Sequence, residues 1–223
     1  MNKAGFISLL FTATFFQHCN SQPPNTTNVV TRAEVRIGGP FENSDYFTKG
    51  IPSDIDAVDT SRGWNLEGDK LLLTGIIYKR DGKTPAPGVV LYYYQTNTAG
   101  RYLHKPDEPR SMPPNSQGQT HGYIRGWVKS GADGRYSIYT VRPGSYPGSE
   151  EPAHIHATII EPDKNEYYID DFLFNDDKFL TEARKKRLQN RCGDGILSLK
   201  PRNKMFIGER NIVLGMNIPG YPR

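Results

Sequence analysis

Between Tyr123 and Pro143, two stretches of alternating apolar and polar residues, YIRGWVKS and RYSIYTVRP, flank the tetrapeptide GADG. A period of two marks a strand with one buried face. Asp133-Gly134 between two such stretches predicts a hairpin turn. The same grammar recurs along the chain. KLLLTGIIYK (70–79) runs into the turn cluster RDGKTPAPG and then VVLYYYQTN (89–97). AHIHATIIEP (153–162) and EYYIDDFLF (166–174) lie either side of DKN, and ILSLKP (196–201) and RNIVLGMNI (210–218) follow. A single helix is predicted over LTEARKKRLQNR (180–191), with Thr181 or Asp177 near its start and Gly193 just past its end. Many short strands separated by turns predict an all-β fold, a β-sandwich with long active-site loops and one peripheral C-terminal helix.

The chain has 223 residues, enough for one domain with a proper core. Its 13 tyrosines, 22 glycines and 17 prolines agree with strands and turns rather than long helices. The net charge is only +4, and the basic run RKKRLQNR reads as a solvated helix face with no nucleic-acid motif beside it. Nucleic acid is therefore not an expected partner. GADG is a turn and not a phosphate cradle, and no G-x-S-x-G elbow supports a serine hydrolase.

Residues 1–18 read as an export signal. Lys3 precedes the apolar run GFISLLFTATFF, which is too short to span a bilayer. Cys19 follows, and lipidation there would give a lipoprotein attached to a membrane through that lipid. Soluble secretion and an uncleaved anchor are the other readings, and all three put the domain outside the cytoplasm. Residues 19–66 then form a tether and an edge-wrapping segment, and 67–223 the sandwich. With Cys19 lipidated, Cys192 has no disulfide partner.

The chemistry concentrates in YPGSEEPAHIH. On a strand, His154 and His156 point to one face with Ile155 opposite. Two imidazoles so placed can converge on zinc, copper, nickel or iron. Tyr146, in the bend RPGSYPG just before them, favours Fe(III), because a phenol ionises at neutral pH only beside a highly charged cation. The irregular connection 98–122 holds GRYLHKPDEPR and is long enough to be a site wall. His104, two residues beyond Tyr102, is the favoured pocket histidine, ahead of His121.

Three segments in order resemble the intradiol ring-cleaving catechol dioxygenases, in particular those like protocatechuate 3,4-dioxygenase. They are TGIIYKRDGKTPAPGVVLYYYQTNTAGRY, RGWVKSGADGRYSIYTVRPGSYP and EPAHIH. The resemblance implies a mononuclear non-haem Fe(III) site with Tyr102 and His156 equatorial and Tyr146 and His154 axial. It implies cleavage of a catechol with O2 to a cis,cis-muconate-type product, Tyr146 being the ligand displaced as the catechol gives up its protons. Family members associate, so a homo-oligomer is also an open expectation.

Two positions depart from the family pattern. Glu151 stands where an arginine commonly precedes P-A-H-x-H, and Asp171 stands at a downstream glutamine position. Both are expected among the catalytic surroundings, with Arg142 or Arg125 as a replacement cation. A substrate carboxylate would call for Arg101, Lys105 or Arg125. Glu151 also motivates a rival reading, a non-catalytic exported β-sandwich that binds a partner or a carbohydrate. A copper or zinc H-x-H site without tyrosine is the third.

Overall fold

The computed structural model, which describes residues 37–38, 46–163 and 165–222, divides its strands between two sheets of six. In chain order these are β1 (Val58–Thr60), β2 (Lys70–Tyr78), β3 (Val90–Gln95), β4 (Arg125–Lys129), β5 (Arg135–Val141) and β6 (His154–Ile160). Then come β7 (Glu166–Tyr168), β8 (Phe172–Phe174), the helix α1 (Glu182–Lys185), β9 (Ile196–Leu197), β10 (Lys200–Arg202), β11 (Met205–Glu209) and β12 (Ile212–Val213). The first sheet runs β1-β5-β2-β11-β10, with β12 also on β2. The second runs β4-β3-β6-β8-β9, with β7 also on β6. The all-β expectation holds.

Strand periodicity decides what lies where. In β2 every second residue is buried, which turns Leu71, Leu73 and Ile77 inward. They share one core with Leu91 and Tyr93 of β3 and Ile155, Ala157 and Ile159 of β6. Each of these leucine and isoleucine side chains contributes about 1.5–3 kcal/mol on burial. The alternate residues of β3 and β6, Tyr92, Tyr94, His154 and His156, therefore fall on the opposite face of the second sheet. That face carries its own cluster of Phe47, Tyr92, Tyr94 and Trp127. The chain around Phe47 is fastened over it: the Trp127 indole donates to the Phe47 carbonyl at 2.7 Å, and Arg125 donates to the carbonyls of Tyr46 and Lys49.

Several local expectations are corrected. The GADG turn exists, with Gly134 at φ 74° and the Arg135 N–H bonded to Asp133 Oδ1 at 3.0 Å. It does not close a hairpin, however. β4 pairs with β3 and β5 with β2, so the turn carries the chain from one sheet to the other. The helix spans only Glu182–Lys185, capped by the Thr181 hydroxyl, and buries no side chain. Arg184, Lys185, Lys186 and Arg187 crowd like charges together, the N–H groups of Arg187 and Leu188 bond three residues back, and Asn190 turns to φ 51°. Without an apolar face, a longer helix has nothing to hold it. Near the C-terminus, the hairpin β10–β11 around Asn203 at φ 54° was not expected, and the stretch 210–218 keeps only Ile212–Val213 as strand.

The expected strand 166–174 is broken in two. Both pieces pair with β6, but Thr158 faces Tyr168 whereas Ile155 faces Phe172, so the register advances by one residue across 169–171. This is a β-bulge, a device that re-aims side chains. The Asp170 carbonyl accepts from the buried Arg210 guanidinium at 2.6 Å, and Asp171 is turned towards His156.

Candidate metal centre

Four side chains meet on the outer face of the second sheet. His154 and His156 stand at the start of β6, with Nε2 atoms 3.1 Å apart. Tyr146 Oη lies 3.1 Å from His154 Nε2 and 3.4 Å from His156 Nε2. Tyr102 Oη lies 3.0 Å from Tyr146 Oη. Tyr102 comes from the 98–122 connection and Tyr146 from the bend after β5.

Those two bends are held together by backbone. Gly144 and Gly100 both donate their N–H to the Asn97 carbonyl, at 2.9 and 3.0 Å, and the Thr96 hydroxyl donates to the Gly144 carbonyl. Gly100 has φ 73°, and a Cβ there would overlap the Ser145 carbonyl, one residue from Tyr146. Gly100→Ala is therefore expected to cost about 3 kcal/mol or more and to push Tyr102 and Tyr146 apart. An unchanged thermal midpoint would contradict this account.

Hydrogen-bond arithmetic shows what the cluster suits. His154 Nδ1 lies 2.7 Å from the Pro152 carbonyl, which only accepts, so that nitrogen carries the proton. His156 Nδ1 lies 3.0 Å from the Asp171 carboxylate and donates to it. With both rings neutral, each Nε2 presents a lone pair to the other, and Tyr146 has one hydrogen to offer between them. One imidazole lone pair is left with no donor, which a cation would satisfy. Asp171 also stands close enough to be counted with the two histidines as a potential metal group. Its bond to Nδ1, on the far side of the ring, makes it the partner that orients His156 rather than a fifth donor.

The electrostatics point the same way. Burial pushes the Tyr102 phenol well up, and the neighbouring Tyr146 adds to this; burial raises Tyr146 as well. Both are therefore neutral unless a cation compensates. His154 is held below the usual imidazole value, first by burial and then by His156. Burial alone would raise Asp171, but the facing His156 holds its carboxyl below the usual range.

Not every residue singled out in the sequence comes here. Arg142 forks onto Asp176 with two 2.8 Å bonds and lies over Phe174. Glu151 pairs with Arg184 at 2.9 Å. Neither contacts the four donors. Arg125 is spent on the backbone around Phe47, Lys105 lies over the Tyr123 ring, and only Arg101 of the three basic candidates lines the cleft. That cleft, about 460 Å³, opens directly on Tyr102, Tyr146 and His156.

His104 is not in the cleft wall; it is exposed and bonded to the Ser111 hydroxyl at 2.8 Å. His121 and Tyr94 line the cleft instead. Tyr94 was legible in principle, since it shares the outer-face parity of Tyr92 in VVLYYYQTN. His121 lies in an irregular segment, where no periodicity could have pointed to it.

Residues 42–191 match the family model described as Dioxygenase. The chain belongs to the intradiol dioxygenase family. The protocatechuate 3,4-dioxygenase beta chain of Burkholderia cepacia is 33% identical over 98 residues, 41% of this chain and 39% of that relative. The match thus spans well under half of the relative's length. Among solved structures, the dioxygenase domain of a carbohydrate-binding fusion protein from Streptomyces sp. SirexAA-E has a TM-score of 0.51 at 21% identity, covering 74% of this chain and 91% of that one. The 3-chlorocatechol 1,2-dioxygenase of Rhodococcus opacus 1CP has a TM-score of 0.52 at 17% identity, covering 80% and 71%. These likenesses are of fold. Within the family fold, Cys192 is buried and free, while residues 1–18 and Cys19 lie outside the described residues. Among the described residues, no helix is long and apolar enough to cross a membrane.

Proposed function

We propose that this family member is an Fe(III)-dependent intradiol dioxygenase that cleaves a catechol-type ring with O2 to a cis,cis-muconate-type product. The observation that carries the proposal is the convergence of Tyr102, Tyr146, His154 and His156, which with both imidazoles neutral leaves one lone pair without a donor among the described residues. These four residues would hold the metal. When bound, Fe(III) supplies the Lewis acidity that keeps the phenols ionised and activates a catechol towards oxygen. Tyr146 Oη, the atom nearest to all the other donors, is the proton acceptor for an incoming catechol hydroxyl. Asp171 fixes the ring of His156 through Nδ1. Tyr94, Tyr102 and Tyr146 line the cleft and offer aromatic faces to a flat ring.

The pairing of Glu151 with Arg184 bears on the rival, non-catalytic reading. That reading rested on a carboxylate facing a dianionic substrate; the carboxylate is paired with Arg184 at 2.9 Å, while its charge still raises the Tyr146 phenol and the His154 imidazole. The copper or zinc reading loses ground because two phenols, not two imidazoles alone, crowd the point. We further read residues 1–18 as an export signal and Cys19 as a lipid attachment point, which would place the substrate among aromatics outside the cytoplasm.

The test is the visible spectrum of the iron-loaded protein lacking residues 1–18, with and without catechol under anaerobic conditions. A broad visible band that shifts on addition, followed by a ring-opened product when oxygen is admitted, is the expected result. A colourless protein after iron loading would sink the assignment of Tyr102 and Tyr146.

A further inference from the structure

His121 stands out because it is buried within the site wall but absorbed by neither the metal cluster nor the core. Its ring lies flat on Tyr94, centroids 3.6 Å apart and planes 2° from parallel. Tyr94 stacks in turn on His156 at 4.4 Å. Two stacking steps thus separate His121 from the cluster.

The tautomer of His121 follows from its neighbours. Its Nδ1 lies 2.7 Å from the Tyr92 hydroxyl. Tyr92 is fully buried, and the Arg125 guanidinium lies over its ring at 5.1 Å. His121 Nδ1 is the one hydrogen-bond partner of the Tyr92 hydroxyl among the described residues, so the buried hydroxyl satisfies its hydrogen by donating it to Nδ1. The proton of the neutral imidazole then sits on Nε2. Burial and the nearby Arg125 push the His121 pKa down to about 3, so the ring stays neutral at ordinary pH. His121 lines the cleft, and no hydrogen bond within the protein occupies Nε2 among the described residues.

We propose that His121 is a substrate-contacting specificity residue, whose Nε2–H donates to a hydrogen-bond-accepting substituent, a carboxylate or carbonyl, on the catechol carbon remote from the two hydroxyls. The Tyr94 ring lies between His121 and His156, which sets this donor apart from the point where the catechol oxygens would be held. Arg101, Gln119 and Thr120 line the same cleft and supply a polar surround for such a group. The Tyr92 bond to Nδ1 and the flat stack on Tyr94 then pin the donor in place, which is what a residue reading one substituent needs.

This inference rests on the proposed catechol chemistry, and the experiment separates the two. Dissociation constants of 3,4-dihydroxybenzoate and unsubstituted catechol are measured by anaerobic titration calorimetry of the iron-loaded protein, for the wild type and for His121→Phe. A hydrogen bond to a charged group is worth roughly a factor of ten or more in binding. The expected result is that His121→Phe loses about tenfold in affinity for the carboxylated ring and changes its affinity for catechol less than twofold. Because His121→Phe strands the buried Tyr92 hydroxyl, the double variant Tyr92→Phe/His121→Phe, which leaves no stranded group, is measured alongside and should show the same selective loss. Equal affinity for the carboxylated ring in the wild type and the double variant would overturn the role of His121 while leaving the catechol chemistry intact. A wild type that binds neither ring would overturn both.

Discussion

Replacing His154 by alanine is expected to abolish iron retention while leaving the iron-free protein nearly as stable as before. The two effects separate because His154 does different things in the two states. Without metal, its Nε2 lone pair faces that of His156 at 3.1 Å, so removing the ring relieves a repulsion. What is lost is the bond from Nδ1 to the Pro152 carbonyl, about 1 kcal/mol, and some packing. With metal, one of four protein donors disappears. Loss of a partner that merely orients a ligand lowers metal affinity by 10–100-fold, so loss of the ligand itself should lower it by about a hundredfold or more. Wild-type protein at a free iron concentration of a hundred times its Kd should gain about 2.7 kcal/mol of apparent stability, and the variant almost none. Thermal midpoints with and without Fe(III), together with bound-iron content, measure both halves. If the iron-free variant instead lost several kcal/mol, the four side chains would be a structural hydrogen-bond knot. If it kept its iron, His154 would not be a ligand.

What the sequence made legible is what depends on short range. Alternation in KLLLTGIIYK and AHIHATIIEP fixes which residues face the core, and it puts His154 and His156 on one face whatever the sheet order. The bend RPGSYPG brings Tyr146 back to those histidines because Pro and Gly dictate the local path. Sheet membership is different, since it is decided by partners far away in sequence. Asp133-Gly134 makes the same turn whether its flanking strands pair or part; here the full-length pairing of β5 with β2 takes β5 to the other sheet. The bulge at 169–171 is equally invisible locally, because it is a mismatch in count between two strands. The basic residues were hidden for a related reason. Arg142 finds Asp176 and Glu151 finds Arg184 across 34 and 33 residues, and no spacing rule connects such pairs.

The same long-range logic makes Arg110 the most exposed weakness of the site wall. Arg110→Ala is expected to destabilise the protein by about 3 kcal/mol, a fall of roughly 6–12 °C in thermal midpoint for a domain of this size. Asp59, on β1, is nearly buried, and Arg110 grips both its carboxylate oxygens at 2.7 and 2.9 Å. The Tyr93 hydroxyl, reaching through from β3, adds a third bond at 2.6 Å. Gly126 of β4 lies flush against this group, since a Cβ there would overlap the Asp59 carboxylate. When the guanidinium goes, the carboxylate loses both of its charged bonds and keeps the Tyr93 hydroxyl as its one side-chain partner among the described residues. Arg110 is also a charged tie between the 98–122 connection and β1, beside the more exposed Arg62–Glu108 pair, and that connection carries Tyr102 and His121. Loss of the tie should therefore lower iron affinity as well as stability, whereas Asp59→Asn in the Arg110→Ala background, which removes the stranded charge, should recover part of the stability but not the tie. Recovery of both together would mean that the buried charge alone, and not the tether, governs the geometry of the site. An Arg110→Ala protein with an unchanged midpoint would mean that the connection is held by its backbone bonds, such as Met112 N–H to the Gly122 carbonyl at 3.0 Å, and that the ion pair is incidental.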